Sequence, residues 1–313
     1  MTRLKKLERD FATADIAAVN GLLAQLGDED VMTRFGLEAR LQELQQSLAA
    51  LGEADEEPTA LAALFFGGAP VLGARGIESE FGGAAITKFQ DLVAKVLAHE
   101  NGGLGQRGVV PNRAASTLHI TNIVRGSFGF LLEEVQPQHQ MVETTLKAAV
   151  EETTRLLDAF GEADEEAFRS AVEEIDERVL GTAREFFSLM RLRGATLRVV
   201  AGDRDNSFGP AAVTRAAERA TSTVLQEGEE VIAGQLAGVL PDAHQFEFRV
   251  GADRGTLRGR IDRGLTADQL SRFNRDLVNL AAHGRFHTKR VLRNDEIVRE
   301  TYTLLELTPV EGD

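Results

Sequence analysis

Arginine is concentrated in the last quarter of the chain, where it could bind an anionic partner. From residue 229 onward the net charge is −2, with 12 Lys and Arg against 14 Asp and Glu, whereas the rest of the chain has a net charge of −12. A basic groove with stacked aromatic side chains can hold single-stranded nucleic acid, although nearby acidic residues could pair with the same arginines and leave a solvated surface. The candidate nucleic-acid-binding residues are Arg258, Arg260, Arg285, Lys289 and Arg290.

A glycine-rich stretch in the first half of the chain has the letters of a dinucleotide-binding loop. Residues 103–108, Gly-Leu-Gly-Gln-Arg-Gly, match G-x-G-x-x-G. That loop binds a pyrophosphate because it follows a strand and opens a helix. Here the motif follows a predicted helix and leads into Pro111 and a predicted strand. We therefore interpret it as a connecting loop, with a phosphate site as the alternative, and we predict no cofactor.

An oxygen-rich cluster of Asp203, Asp205, Asn206 and Ser207 contains side chains that hard cations prefer. The glycine and the distal glutamate of a calcium loop are not at their required positions, so a polar turn before Pro210 is the favoured interpretation. The six histidines have no metal-ligand spacing. The chain has no cysteine, which excludes a thiolate ligand and a disulfide framework. We predict no metal site.

His119 and Ser127 would lie close together if the segment that contains them forms a tight hairpin. A nucleophile beside a base is the arrangement of many hydrolases. The surrounding letters, Gly-Ser-Phe-Gly, lack the spacing of a nucleophile elbow. We therefore expect a hydrogen-bonded histidine on a strand, and a hydrolase that uses these residues or the Asp203 loop is our third hypothesis.

The elements that would position these residues are centred on residues 117–135. Two apolar runs, 118–124 and 128–132, flank Arg125-Gly126, which predicts a buried central β-hairpin. Residues 61–66 and 71–72 predict a second hairpin. Apolar residues at helical spacing predict helices over 84–99, 142–160 and 168–189, and Pro210 opens another. Hairpins alternating with helices predict an α+β domain with an antiparallel sheet.

A helical hairpin precedes this domain and carries a narrow apolar seam. Its second helix has leucines at alternating spacings of four and three, a pattern typical of helices that pair with other helices. The hairpin could pack on its own chain or form a coiled-coil-like dimer. The seam consists of Leu37, Leu41, Leu44, Leu48 and Leu51.

The C-terminal portion predicts several short strands and one helix, which could close as a small β-barrel. Thr266 with Gln269 has the spacing of a capping box, and Gly284 would end that helix after His283. The predicted organisation is therefore a helical arm at 1–57, an α+β core at 58–226 and a barrel-like module at 227–313.

The whole chain reads as a globular protein without a membrane segment. Its 313 residues are 43% hydrophobic and 27% charged, and no apolar run approaches the length of a membrane helix. The amino terminus lacks the apolar core of a signal peptide, so we expect a cytoplasmic protein. Our first hypothesis is a non-catalytic interaction or assembly protein that associates with itself and with another protein. Nucleic-acid or nucleotide binding by the C-terminal module is the alternative.

Overall fold

The computed structural model describes residues 5–27, 30–53, 57–105, 107–124, 128–135, 142–251 and 255–310. The chain divides into two compact units. The first comprises Met1–Ala171 and Arg178–Ala220, and the second comprises Val172–Glu177 and Thr221–Asp313. The predicted α+β class is confirmed, with an N-terminal helical hairpin, an antiparallel sheet layered with helices, and a β-barrel. The hairpin belongs to the same unit as the sheet.

The arm consists of helices α1 (Lys5–Gln25) and α2 (Val31–Glu53), which pack against each other. Ala12 and Val19 of α1 and Leu44 of α2 are buried. The other four leucines of the predicted seam are half-buried. The seam of α2 therefore faces α1, as expected for two helices that share one narrow apolar stripe.

The first unit is built on five antiparallel strands in the order β2-β3-β1-β4-β5. The strands are β1 (Leu61–Gly68), β2 (His119–Val124), β3 (Phe128–Glu133), β4 (Ala195–Ala201) and β5 (Arg204–Phe208). The middle strand β1 is buried from Leu61 to Phe66. Because side chains alternate along a strand, both faces of the sheet need a cover at this point.

The predicted hairpin at residues 117–135 forms from β2 and β3, but its predicted central position is wrong. Strand β2 lies at the edge of the sheet, and its residues 119–123 are exposed. The centre is β1, which pairs with β3 and β4. The predicted hairpin of 61–66 with 71–72 is also wrong, since Val71 makes only an isolated bridge with Ile77. Arg125-Gly126 lies outside the described residues.

Helices cover one face of the sheet, and all but the last of them connect its strands. They are α3 (Ser79–Glu100), α4 (Thr145–Gly161), α5 (Glu165–Glu173), α6 (Glu177–Leu192) and α7 (Pro210–Ser222). Phe66 of β1 meets Phe81 of α3 edge to face at 5.5 Å, which identifies the helix side. The single helix predicted over 168–189 is wrong, because α5 ends at Glu173 and a new helix, α6, begins at Glu177.

The turn between α4 and α5 is organised by Arg219 of α7, a buried guanidinium. It donates to the carbonyl oxygens of Phe160 at 3.2 Å and Glu162 at 2.6 Å, and it pairs with the Glu165 carboxylate at 2.9 Å. The carbonyls at a helix C-terminus carry partial negative charge, so a cation is stabilised there.

The first turn of α1 covers the opposite face of the sheet. Leu7 is buried against Ala63 and Phe65 of β1. The Arg198 guanidinium lies 5.5 Å from the centre of the Phe65 ring and binds both carboxylate oxygens of Asp205 at 2.7 Å.

Two ion pairs connect this apolar contact to α1. Asp10 lies 3.3 Å from Arg198, and Lys6 lies 3.7 Å from Asp205. The arm is therefore rooted on the sheet by one leucine and a four-residue charge network.

The second unit is a closed five-stranded barrel in the order β10-β8-β7-β6-β9. Its elements are β6 (Thr223–Leu240), β7 (Gln245–Arg249), β8 (Thr256–Ile261), α8 (Ala267–Asp276), β9 (Ala281–Arg293) and β10 (Glu296–Pro309). β8 and β10 are parallel, and the other neighbours are antiparallel. This order, with a helix between the third and fourth strands, is the topology of the OB-fold.

The predicted capping box at Thr266 and Gln269 is present, but the predicted end of this helix is wrong. α8 ends at Asp276, so His283 and Gly284 lie on strand β9. The reason lies in the packing of the barrel, because a Cβ on Gly284 would come within 2.5 Å of the Phe286 ring. Gly284 therefore permits a close approach and does not end the helix. Among the described residues, no helix has both the length and the apolar character of a membrane span.

The root of the arm leads to a test of stability against pH. In the folded chain the pKa of Asp205 is lowered, first by its hydrogen bonds with Arg198 and then by the charges of Arg198 and Lys6. A carboxylate with a lowered folded-state pKa stabilises the fold above its unfolded-state pKa, about 3.9, and loses that contribution as pH falls through the folded-state value. We expect Asp205→Asn to cost about 1 kcal/mol at pH 7, allowing for partial solvent screening.

The measurement is urea denaturation of the wild type and the variant between pH 7 and pH 3. The difference in the free energy of unfolding should shrink below about pH 4. Asp203→Asn is the matched control, because Asp203 is an exposed aspartate in the turn that immediately precedes β5. A pH-independent difference, or an equal effect of the control, would contradict this role of Asp205.

Candidate functional site

The outer surface of β7 and β8 brings several predicted and unpredicted polar residues together. In the register of these strands Gln245 lies opposite Arg260, and Glu247 lies opposite Arg258. All four are exposed. Because alternate residues of a strand share a face, the two arginines lie on one side, as the sequence predicts.

A cleft of about 430 Å³ opens at this surface, which we call the barrel cleft. Beside it, the side-chain amide of Asn274 of α8 binds β6, accepting from the Val239 N–H at 2.9 Å and donating to the Val239 carbonyl at 2.8 Å. These bonds hold β6 in place where its pairing with β7 shifts between Leu236 and Gly238. The cleft is lined by Ala237–Leu240, Gln245–Glu247 and Arg258–Arg260.

The charge of the barrel cleft is unevenly compensated. Arg258 pairs with Glu247 at 2.8 Å across the two strands. Arg260 has no ion-pair partner among the residues that the structure describes. The side chains of the cleft therefore carry a net positive charge, and a guanidinium can bind a carboxylate or a phosphate through two hydrogen bonds.

The other three predicted residues lie on β9, away from the cleft, and bind groups of the same unit. Arg285 pairs with Glu229 and Glu306, both at 3.0 Å. Arg290 pairs with Glu230 and Glu300, both at 2.5 Å, and its hydrogen bond with Glu230 is the first cause of its raised pKa. Surface ion pairs of this kind were the alternative interpretation of the arginine-rich sequence.

Lys289 is largely buried and donates to the backbone carbonyls of Glu173 and Ile175. Burial lowers the pKa of Lys289, and the neighbouring carboxylate of Glu227 opposes that shift. This ammonium therefore binds the chain segment that precedes α6. The structure thus brings Arg258 and Arg260 together and places Arg285, Lys289 and Arg290 elsewhere.

The aromatic side chains of the barrel belong to its core and offer no stacking surface in the cleft, although Phe246 is among the residues that line it. The rings of Phe246, Phe248, Phe286 and Tyr302 are buried in the barrel core, and Phe273 packs against that core. A nucleic acid in the cleft would therefore contact guanidinium groups and backbone without base stacking from these rings.

The remaining chemical motifs of the sequence serve connections within the fold. Arg178 of α6 donates to the carbonyl oxygens of Gly105 at 2.9 Å and Gly108 at 2.7 Å in the glycine-rich loop. A phosphate loop would instead direct N–H groups at its ligand. Gln106 of that motif, and Ser127 of the His119 pair, lie outside the described residues.

The Asp203 cluster and the histidines form no cation site in the part of the chain that the structure describes. The structure contains no group of three or more metal-ligating residues there. Asp205 binds Arg198 in the root of the arm. His119 is exposed at the start of β2.

A second candidate surface is the outer side of the arm, and most of its residues were not singled out in the sequence. Near the tip, Met32 is 84% exposed and Phe35 is 71% exposed. Along α1, Phe11 and Leu22 are exposed, as are Ala14 and Ala18 between them. We call these last four residues the α1 stripe. Their spacings of three, four and four place them on one helix face. In the sequence this face is obscured, because the larger apolar residues of the first helix follow one spacing up to Phe11 and resume out of phase at Ile16.

Comparison with known proteins gives no assignment for either surface. No family model, curated protein or solved structure matches this chain. Both candidate surfaces therefore rest on their own geometry.

Proposed function

We propose that this chain is a non-catalytic cytoplasmic assembly protein that associates with a second copy of itself through the arm. The observation that carries the proposal is the exposed apolar surface that the two-helix arm leaves on α1 and at its tip. Two arms packed side by side would form a four-helix bundle, in which each narrow stripe is covered by neighbouring helices. Another protein with a similar helical surface could use the same tip.

The charge pattern of α1 supports this proposal. Between Phe11 and Gln25 the helix contains one charged residue, Asp15. A helix face that stays in water ordinarily carries charged and polar side chains. In a chain with 27% charged residues, a 15-residue stretch with a single charge is suited to a helix contact.

The leucine seam supports the same arrangement. Leu44 is buried, whereas Leu37, Leu41, Leu48 and Leu51 are only half-buried against α1. Burial of apolar surface contributes about 25 cal/mol per Å². A second arm would remove more of these leucines from water and so stabilise both copies.

The proposal predicts dimers that charges in the α1 stripe disrupt. Ala18→Glu with Leu22→Glu places like charges opposite each other across a two-fold interface. We expect this to weaken association by more than about 100-fold, because such juxtaposition costs several kcal/mol. Sedimentation equilibrium across the micromolar range should give a larger assembly for the wild type than for this variant.

The matched control is Ala17→Glu with Ala24→Glu. It adds the same charge to exposed positions of the same helix outside the stripe. The control should associate as the wild type does, and circular dichroism should report equal helix content in all three proteins. A wild-type chain that is monomeric at every concentration in the micromolar range would contradict the proposal. Equal dissociation of both variants would place the interface elsewhere on the arm.

A second candidate function is the binding of single-stranded nucleic acid in the barrel cleft. The observation that favours it is Arg260, a guanidinium without an ion-pair partner among the described residues, beside Arg258 on the strands that line the cleft. Proteins with OB-fold barrels bind oligonucleotides on the corresponding strands, although topology by itself does not establish function. Contacts through guanidinium groups without stacking would give binding that depends on salt and not on sequence.

This second function predicts that Arg258→Ala with Arg260→Ala weakens the binding of an oligonucleotide. Loss of two phosphate contacts should reduce the slope of log K against log salt by roughly 1.4, as measured by fluorescence anisotropy of the full chain at several salt concentrations. Arg272→Ala with Arg275→Ala, two exposed arginines of α8, is the control and should leave the slope unchanged. Absence of binding at low salt would eliminate this function.

A further inference from the structure

Strand β2 has the features of a second self-association surface, independent of the arm. It lies at the end of the strand order, and among the described residues its only partner strand is β3. An edge strand presents unpaired backbone N–H and C=O groups to any chain that can align with it. Proteins commonly protect such edges with charged side chains or β-bulges. β2 has a bulge between Ile120 and Asn122, but its residues, His-Ile-Thr-Asn-Ile-Val, include no Lys, Arg, Asp or Glu.

The two isoleucines of β2 lie on the same face of the sheet. Ile120 is opposite Leu132 and Ile123 is opposite Phe130, two positions of β3 that share a face. On a regular strand, two residues three positions apart would lie on opposite faces. Ile120 and Ile123 share a face because the register of β2 shifts between Ile120 and Asn122. Ile120 is 53% exposed and Ile123 is 55% exposed, so this face extends apolar surface beyond the edge of the sheet.

The strand is held in its shape at its start and at its bulge. At its start, the Gln90 side chain of α3 accepts from the Leu118 N–H at 2.9 Å and donates to the Ser116 carbonyl at 2.5 Å. At the bulge, the Asn122 side chain accepts from the Ile123 N–H at 2.8 Å. A strand fixed in this way loses little conformational entropy when it pairs.

We propose that β2 pairs with β2 of a second copy, antiparallel and about a two-fold axis between Thr121 and Asn122. This axis places Ile120 of each copy opposite Ile123 of the other, on the same face, and places bulge opposite bulge. The lack of charge makes the strand compatible with itself, since no like charges meet across the pair. The two five-stranded sheets then form one continuous sheet, joined by a contact that does not involve the arm.

Disulfide trapping tests this register, because the natural chain contains no cysteine. Ile120→Cys and Ile123→Cys are purified separately, mixed and oxidised. Residues directly opposite each other in antiparallel strands have Cα atoms about 4.5–5.5 Å apart, within disulfide range, whereas two copies of position 120 would be separated by about 10 Å along the strand. The mixture should therefore give mainly the heterodisulfide, as resolved by mass spectrometry.

The control is Ile297→Cys, an exposed isoleucine of β10, mixed with Ile120→Cys. Cross-linking no greater than in this control, or homodisulfides as abundant as the heterodisulfide, would overturn the proposal. The experiment is repeated with Ala18→Glu and Leu22→Glu in both chains. If the heterodisulfide still forms in these chains, the result supports an edge contact that does not require the arm. If the heterodisulfide is lost, the proposal that the two surfaces are independent is overturned.

Discussion

Burial of β1 on both faces is the constraint on which the first unit depends. Leu61–Phe66 is a continuous buried run, so neither side of this strand can face water. Helices supply one cover, with Phe81 of α3 against Phe66. On the other side the row of Ala63 and Phe65 is covered by Leu7, the first buried residue of the arm. The arm is therefore rooted where it is because the sheet needs that cover, and Arg198 and Asp205 orient it through charge.

Closure of the second unit imposes a different constraint, which is close approach between strands. A Cβ on Gly259 would come within 2.1 Å of the Tyr302 carbonyl oxygen, and one on Gly234 within 2.3 Å of the Arg249 carbonyl oxygen. Glycine at these two positions allows β8 to meet β10 and β6 to meet β7. Because the rings belong to the interior, any binding at the outer surface would rest on Arg258, Arg260 and their neighbours in the barrel cleft.

The sequence was sufficient for features that depend on local spacing. The arm, the capping box at Thr266 and the short barrel strands β7 and β8 follow from periodicity and turn residues, because neighbours in sequence produce them. The sequence was insufficient where the role of a residue depends on a partner that is far away along the chain. The run at 61–66 has the same letters whether it is a hairpin strand or the centre of a sheet, and only its pairing with β3 and β4 decides this.

The same limit applies to the candidate residues. What separates Arg260 from the other three candidates is the group that each one binds. Arg285 pairs with Glu229, Lys289 binds the backbone of Glu173, and Arg290 pairs with Glu230. These partners are distant from them in the sequence.

Charge is also the property that distinguishes the surfaces with a proposed role from the rest of the molecule. On β9, Arg285 and Arg290 are each compensated by two carboxylates, and this mutual pairing leaves little free energy to gain from an external partner. Three surfaces depart from that balance: the outer side of α1, which has one charge in 15 residues; β2, which has none; and the barrel cleft, where Arg260 lacks a pair among the described residues.

The first two departures leave exposed apolar side chains on segments that carry few charges, a surface from which water is readily displaced by an identical surface. The third favours an anion. Association through α1 and β2, and ligand binding at the cleft, would therefore draw on different forces. Added salt should weaken ligand binding at the cleft without weakening association through α1 and β2, since it screens charge pairing but does not weaken apolar burial.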